Sequence, residues 1–138
     1  MNGKALATAG LVVVCGRKLL LAYSNNKQAW YLPGGKLDAG ESAEQALRRE
    51  VAEELCLELA AERLRYWCHI ASPAYGEQPP RQMEQDCFLY TLATHEELRP
   101  SREIGGVRFF DAGDYAREPA QVSGVLLVMQ RLAAEGLM

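Results

Sequence analysis

Alternating and apolar runs along the chain predict mainly β-structure in its first two thirds. Two apolar runs, Leu11–Cys15 and Leu19–Tyr23, are separated by Gly16-Arg17, which predicts a β-hairpin. The stretch Ser72–Arg81 contains Pro and Gly and is expected to be a loop between strands. The predicted strands are Ala5–Cys15, Lys18–Tyr23, Trp30–Leu32, Arg63–Ala71, Gln82–Thr91 and Gly106–Phe110.

Helical spacing predicts two helices. Ser42 and Gln45 form a capping-box pattern, so a helix is expected to begin there, after a turn that contains Asp38 and Gly40. Pro119 is expected to open a last helix, and Gly136 follows its end. The apolar stripes of the two helices consist of Ala43, Ala46, Leu47, Val51 and Leu55, and of Val122, Val125, Leu126, Met129 and Leu132. A mixed sheet with one helix on each face is therefore expected.

Three acidic residues, Glu50, Glu53 and Glu54, lie beside the apolar stripe of the first helix. The stripe from Leu47 to Leu55 covers only about 80° of the helical wheel, so the three carboxylates fall at the rim of the buried face. Their mutual repulsion costs roughly 0.2–0.5 kcal/mol per pair, which is too little to exclude a solvated acidic face. Gathered at one spot, carboxylates are the ligands that Mg²⁺ and Mn²⁺ prefer.

The context of these carboxylates is specific. The segment Gly35–Leu57 fits the pattern G-x5-E-x7-R-E-U-x-E-E-x-G-U, where U is aliphatic, except that Cys56 replaces the second glycine. This pattern resembles the signature of the Nudix hydrolases, enzymes that cut a pyrophosphate linked to another moiety. The resemblance implies an α/β fold, a single-domain α/β/α sandwich with a mixed β-sheet, spanning residues 1–138.

The resemblance also implies roles for individual residues. Glu50, Glu53, Glu54 and the carbonyl of Gly35 would bind Mg²⁺, for which Mn²⁺ can substitute, and the residue at the Glu50 position most often doubles as the base. Such an ion neutralises phosphate charge and orients an attacking water. Arg49 and Glu41 would form an ion pair that orients the helix; the alternative is an ordinary surface pair worth little.

Cys56 is the departure from the pattern. The glycine of the family ends the helix in the left-handed conformation, where a side chain costs roughly 1–2 kcal/mol. Either Cys56 bears that strain or the helix ends differently, and no proposed ligand is lost in either case. The chain has no C-x-x-C spacing, and Cys15 and Cys87 are expected to be buried thiols in a reducing cytosol.

The substrate is less well specified by the sequence. Trp30 and Tyr31 precede a Leu-Pro-Gly-Gly turn and are expected near the site, although aromatic residues there are equally typical of the core. In the family, a proline downstream of the motif accompanies ADP-ribose hydrolysis, and a tyrosine accompanies dinucleoside polyphosphates. Pro73 and Tyr75 fulfil both conditions, so neither decides. Arg81 is a candidate for binding a phosphate, or a solvated loop arginine.

In the family a further acidic ligand or base often comes from outside the motif, but the sequence does not favour one on the loop before the penultimate strand. Many relatives carry an acid there, where this chain has Gly105-Gly106. Glu84 and Asp86 lie on one face of a predicted strand, and Glu103 is near a loop.

The composition and net charge of the chain limit the kinds of molecule that it is expected to bind. The net charge of −3 and the pI near 5.4 argue against nonspecific binding to nucleic acid or an anionic membrane. The apolar run from Leu6, preceded by Lys4, is too short to span a membrane and is followed by no small-residue cleavage site. The sequence therefore predicts a cytoplasmic protein with a small-molecule nucleotide substrate, and it leaves a homodimer open.

Two functions fit these residues. The first is Mg²⁺-dependent hydrolysis of the pyrophosphate bond of a nucleotide or a nucleoside-diphosphate-linked small molecule. The second is a catalytically idle nucleotide-binding sensor or regulatory module on the same fold. The intact set of Glu50, Glu53 and Glu54 favours the enzyme, because a pure binder has little need of all three.

Overall fold

A computed structural model describes residues 5–138 of the chain. Its strands are β1 Leu6–Val12, β2 Val14–Cys15, β3 Lys18–Ser24, β4 Ala29–Tyr31, β5 Gly34–Lys36, β6 Arg65–Pro73, β7 Gln82–Leu89 and β8 Ile104–Phe110. Its α-helices are α1 Ala43–Leu55, α2 Ala112–Ala116 and α3 Ser123–Ala134, and a 3₁₀-helix spans Ala61–Arg63. The first four residues, which include Lys4 and belong to the proposed domain 1–138, lie outside the described part.

The strands form two four-stranded sheets. The first has the order β5-β1-β7-β6, in which β1 and β7 are parallel and the other neighbours are antiparallel. In the second, β3 lies between β4 and β8 and also pairs with β2, and all of these pairs are antiparallel. The expected mixed sheet is therefore present, but the strands divide between it and a second sheet.

The two long helices cover opposite faces of the first sheet. The α1 stripe of Leu47, Val51 and Leu55 packs in one apolar cluster with Ala9 and Leu11 of β1. Val125, Met129 and Leu132 of α3 pack in a second cluster, which includes Ile70 of β6. Side chains alternate between the faces of a strand, so the first sheet contributes to both clusters. The predicted α/β fold is confirmed.

The ends of α1 are fixed by local hydrogen bonds. The Ser42 hydroxyl accepts from the Gln45 amide at 3.1 Å, and the Gln45 side chain accepts from the Ser42 amide at 2.8 Å, which confirms the capping box. At the other end, the Arg99 and Ser101 amides donate to the carbonyls of Leu55 and Glu54, each at 2.8 Å. These bonds satisfy carbonyl groups that a helix end leaves without an intrahelical partner.

Several elements differ from the prediction. Strand β5 occupies Gly34–Lys36, which was expected to be a glycine turn, because these residues pair antiparallel with β1. The last helix begins at Ser123 and not at Pro119, because the Tyr115 hydroxyl accepts from the Val122 amide and holds the preceding segment in irregular structure. Helix α2 was not predicted; the Asp111–Asp114 capping box starts it.

Other differences are smaller. Strand β6 is displaced by two residues from the predicted Arg63–Ala71 to Arg65–Pro73, because the 3₁₀-helix takes up Arg63. Cys87 is buried as expected, but Cys15 is exposed, because β2 is a two-residue strand beside the Gly16-Arg17 turn. Within residues 5–138 no helix has both the length and the apolar character needed to cross a bilayer.

Candidate active site

Arg49 ties α1 to the segment that precedes it. Its Nε and Nη2 atoms donate to the two carboxylate oxygens of Glu41 at 2.7 and 2.9 Å, and Nη2 also donates to the Lys36 carbonyl at 3.1 Å. The bonds from Arg49 lower the pKa of Glu41 to about 2, so this pair is fully ionised at neutral pH. The guanidinium thereby links the end of β5, the loop and the middle of α1, which is the arrangement expected for a helix-orienting pair.

Glu50 lies against the backbone of β5. A Cβ atom added to Gly35 would be 2.2 Å from Glu50 Oε2, so a glycine is required there for the carboxylate to approach the strand. Burial raises the pKa of Glu50 above its ordinary value. The close approach places a desolvated carboxylate beside the Gly35 peptide.

Glu54 is the most buried of the three motif acids, with 8% of its surface exposed. Its Oε1 accepts from the Gly34 amide at 3.4 Å. Burial, and then the neighbouring Glu50 charge, raise the pKa of Glu54 to about 8. A carboxylate held in this way favours a proton or a cation at its side.

Glu53 has a different orientation. Its Oε1 is 3.4 Å from Arg49 Nη1, and Glu50 Oε1 is 3.7 Å from the same nitrogen. The structure brings Glu50 and Glu54 to β5, at Gly35 and Gly34. Within residues 5–138, no three acidic, histidine or cysteine side chains converge into a complete metal cage. The donor set suits Mg²⁺, which keeps several waters and binds through one or two carboxylates plus substrate phosphates.

Glu103 is a fourth acid at this site, and the sequence analysis did not assign it. Its charge contributes to the raised pKa values of Glu50 and Glu54, and it lines the same cleft as Glu54. Strand β8 begins at Ile104, so Glu103 immediately precedes it. The sequence did not favour a loop-borne base, because Gly105-Gly106 was compared with the position before the strand. Both glycines lie within β8, and Glu103 holds the position before it.

The cleft has a volume of about 200 Å³ and is bounded by both sheets. Glu54, Glu103 and Gly35 form its acidic end. Its walls are mainly apolar, and they include Tyr31, Leu32, Pro73, Tyr75, Met83 and Ile104. A ligand with a charged end and a flat apolar part matches this distribution.

The residues expected to contact substrate are not all in the cleft. Tyr31 and Tyr75 are, with ring centroids 6.2 Å apart, and the Tyr31 hydroxyl donates to the Tyr75 carbonyl at 3.4 Å. Trp30 lies outside it, because side chains alternate along β4, and its ring packs 5.0 Å from that of Phe110. Arg81 also lies outside the cleft lining, at the start of β7.

Comparison with known proteins shows which family this chain resembles. A model of the NUDIX domain matches residues 4–129. A Bacillus subtilis (strain 168) protein named "Putative 8-oxo-dGTP diphosphatase" is 29% identical over 97 residues, which are 70% of this chain and 60% of that protein. The chain therefore spans less than two thirds of the length of this relative.

Two solved structures share the fold. One is a bifunctional NMN adenylyltransferase/ADP ribose pyrophosphatase from Francisella tularensis, complexed with AMP and a Mn ion. It has a TM-score of 0.72 and 20% identity over 96% of this chain and 42% of that one. The other is the NUDIX domain of Shewanella oneidensis NrtR complexed with ADP ribose. It has a TM-score of 0.71 and 21% identity over 99% of this chain and 90% of that one.

Proposed function

Because the chain belongs to the NUDIX domain family, we propose that it is a pyrophosphohydrolase that acts, with a divalent cation, on a nucleotide or a nucleoside-diphosphate-linked small molecule. The observation that carries this proposal is the placement of Glu50 and Glu54 against Gly34 and Gly35 at the acidic end of a cleft. In this arrangement the carboxylates would hold the cation that binds the pyrophosphate, and the rest of the ligand would lie along the apolar walls.

Glu50, Glu53, Glu54 and the Gly35 carbonyl would hold Mg²⁺, or Mn²⁺ in its place. The fit is supported by the electrostatics. Burial raises the pKa values of Glu50 and Glu54, and neighbouring acidic charges raise them further, so a cation beside the two carboxylates would stabilise their ionised forms. When bound, the ion supplies Lewis-acid stabilisation of the phosphate charge and activation of a water.

The side chains have separate roles in this proposal. Arg49 and Glu41 orient α1 without touching the substrate, since the two side chains bond each other and Arg49 also donates to the Lys36 carbonyl. Glu50 and Glu103 are the candidates for the base that takes the proton from the attacking water. In other enzymes, removing a single preorganised charged or polar group of this kind lowers kcat by roughly 10²–10³-fold.

The substrate class is supported by the cleft and by the relatives. Tyr31 and Tyr75 offer aromatic surfaces on which a base can stack, an interaction worth about 1–3 kcal/mol in other stacking sites. The names of the relatives refer to 8-oxo-dGTP and ADP ribose. We therefore propose that the substrate is a (d)NTP or a nucleoside diphosphate linked to a sugar or second nucleotide. We also propose that the reaction takes place in the cytoplasm.

The test is kcat/KM with Mg²⁺ across (d)NTPs, oxidised dNTPs, ADP-ribose, a dinucleoside tetraphosphate and an inositol pyrophosphate. Nucleotides should be hydrolysed in preference to the inositol compound, and EDTA should abolish turnover. Preference for the inositol compound, or activity that survives EDTA, would contradict the proposal. Nucleotide binding without any turnover would identify the chain as the sensor module.

A further inference from the structure

Gln85 is a buried polar residue in the wall of the cleft. It belongs to β7, is 9% exposed, and shares the cleft with Leu32 and Met83. An amide group in apolar surroundings destabilises the folded chain unless it forms hydrogen bonds. Its presence among apolar neighbours therefore requires an explanation.

The hydrogen bonds of Gln85 leave its nitrogen available. Oε1 accepts a long contact from the Cys87 thiol at 3.9 Å, and no hydrogen bond within residues 5–138 engages Nε2. In the same part of the chain, Ser72 Oγ is the one buried side-chain polar atom that has no partner and is sealed from solvent. Nε2 has no partner and is not sealed, so its N–H groups open into the cleft.

Gly10 has no side chain, and this leaves the space that the Gln85 amide group occupies. A Cβ atom on Gly10 would lie 2.9 Å from Gln85 Cδ, 3.0 Å from its Nε2 and 2.9 Å from Leu32 Cδ1. A glycine inside a strand weakens it and marks a close approach. Here the group that approaches is the Gln85 side chain, so two residues on adjacent strands combine to place an amide at the cleft wall.

The orientation of the amide defines the ligand group that fits it. With Oε1 turned to the Cys87 thiol, the group offered to the cleft is a pair of N–H donors. Guanine presents O6 and N7 as acceptors and thymine presents O4, whereas adenine presents an N6 donor at the corresponding position. Adenine keeps only its N7 acceptor there, so a pair of donors matches a base that carries a ring carbonyl oxygen better than it matches adenine.

We propose that Gln85 selects the nucleobase of the substrate by donating a hydrogen bond to a ring carbonyl oxygen, so that keto bases are preferred over bases without that oxygen. This inference rests on the proposed function, because it assumes that a nucleotide occupies the cleft with its phosphates at Glu54. It adds a specificity-determining residue that lies outside the motif helix.

The experiment compares dGTP with 2-aminopurine deoxyriboside triphosphate, which differs by the loss of O6. Wild-type kcat/KM should favour dGTP by about 10- to 100-fold, the range expected for one or two good hydrogen bonds to a base. Gln85→Leu should abolish the preference by lowering kcat/KM for dGTP alone. Gln85→Glu keeps the shape and has no donor once its carboxyl is ionised, so it should give the same loss at a pH where that carboxyl is ionised. The matched control is Gln82→Leu, an exposed position on the same strand, which should keep the preference.

An unchanged preference in Gln85→Leu and Gln85→Glu would overturn the inference, as would equal turnover of the two triphosphates by the wild type. If none of the nucleotides in the substrate panel is hydrolysed, the proposed function has failed separately. The base selection is then decided by calorimetric binding of GMP and of 2-aminopurine riboside monophosphate. Tighter binding of GMP that depends on Gln85 supports the inference, and equal or absent binding overturns it.

Discussion

Cys56 occupies a backbone conformation that glycine adopts without strain. Its φ of 55° and ψ of 32° are left-handed, and its amide donates to the Ala52 carbonyl at 3.2 Å at the end of α1. The sequence left two alternatives, a strained Cys56 or a different end of the helix. The structure confirms the strained Cys56. The Sγ atom belongs to an exposed residue, so no packing contact in the core depends on it.

We expect Cys56→Gly to stabilise the protein by up to about 1 kcal/mol, because it removes the Cβ from a left-handed residue while adding some freedom to the unfolded chain. Turnover should change little, since Glu50 and Glu54 keep their positions. The measurement is urea denaturation, with Cys15→Ala, at an exposed strand position, as a control for thiol loss. A lower unfolding free energy for Cys56→Gly would contradict this account.

The proposed metal ligands lead to a second prediction at this scale. Glu53→Gln and Glu54→Gln should each lower kcat by about 10²-fold or more, with a smaller effect on KM, because the lost charge acts in the transition state. Glu44→Gln is the matched control: it lies on the same helix and its carboxylate pairs with Arg48 at 4.0 Å. Wild-type kcat in either test variant would remove that residue from the proposed machinery.

At the scale of elements, Glu96 joins the segment after β7 to the 3₁₀-helix. Its two oxygens accept from the Arg63 guanidinium at 2.9 and 3.0 Å, and it also accepts from the Tyr90 hydroxyl at 2.7 Å and the Ala93 amide at 2.8 Å. The Glu96 side chain is 6% exposed. The Arg63 bonds lower the pKa of Glu96 to about 2.

A depressed folded-state pKa means that the ionised carboxylate stabilises the fold above pH 4.5 and that this stability is lost as the pH falls toward 2. Glu96→Gln should therefore destabilise the protein by about 1–2 kcal/mol at pH 7, as for other hydrogen bonds to charged groups. Near pH 2.5 the difference from the wild type should largely disappear. Urea denaturation at both pH values tests this, with the exposed Glu97→Gln as control. An equal loss at both pH values would contradict the ionic origin.

Elements with a local signal could be predicted from the sequence, and elements set by distant pairing could not. The start of α1 and its buried stripe follow from side chains within a few residues of each other, and both agree with the prediction. Strand β5 consists of Gly34–Lys36, which has low strand propensity and is ordered by β1. For the same reason the start of β8 was misplaced, and with it the acid Glu103. Gln85 carried no signal, because its role depends on the space above Gly10.

At the scale of the whole molecule, the cleft is built from both sheets. Thr8 and Gln85 come from the first sheet, Ala22 and Tyr31 come from the second, and α1 adds Glu54. A ligand held by the acidic end therefore contacts groups whose relative positions exist only in the folded chain. Binding there must stabilise the fold.

This gives a prediction that does not require turnover. Mg²⁺ or Mn²⁺ at about 100 times its Kd should raise the unfolding free energy by about 2.7 kcal/mol, with a corresponding rise in Tm. Glu50→Gln should lose most of this increment, because the carboxylate at Gly35 is removed. The measurement is the Tm, determined by calorimetry with and without the metal. The control variant Glu44→Gln should respond like the wild type. An equal rise of Tm in Glu50→Gln would place the ion elsewhere.

The parallel seam between β1 and β7 determines the order in which the protein can fold. Thr8 Oγ1 donates to the Glu84 carbonyl, 76 positions away, whereas β6 and β7 are joined by a short loop. Closing such a long loop has an entropic cost that is recovered only when the seam forms, so seam formation should limit the folding rate. The seam also connects Gly34 and Gly35, paired with β1, to Gln85 on β7. Amide exchange in β1 should consequently be among the slowest in the chain, because those protons are released only when the pairing of β1 with β5 and β7 opens.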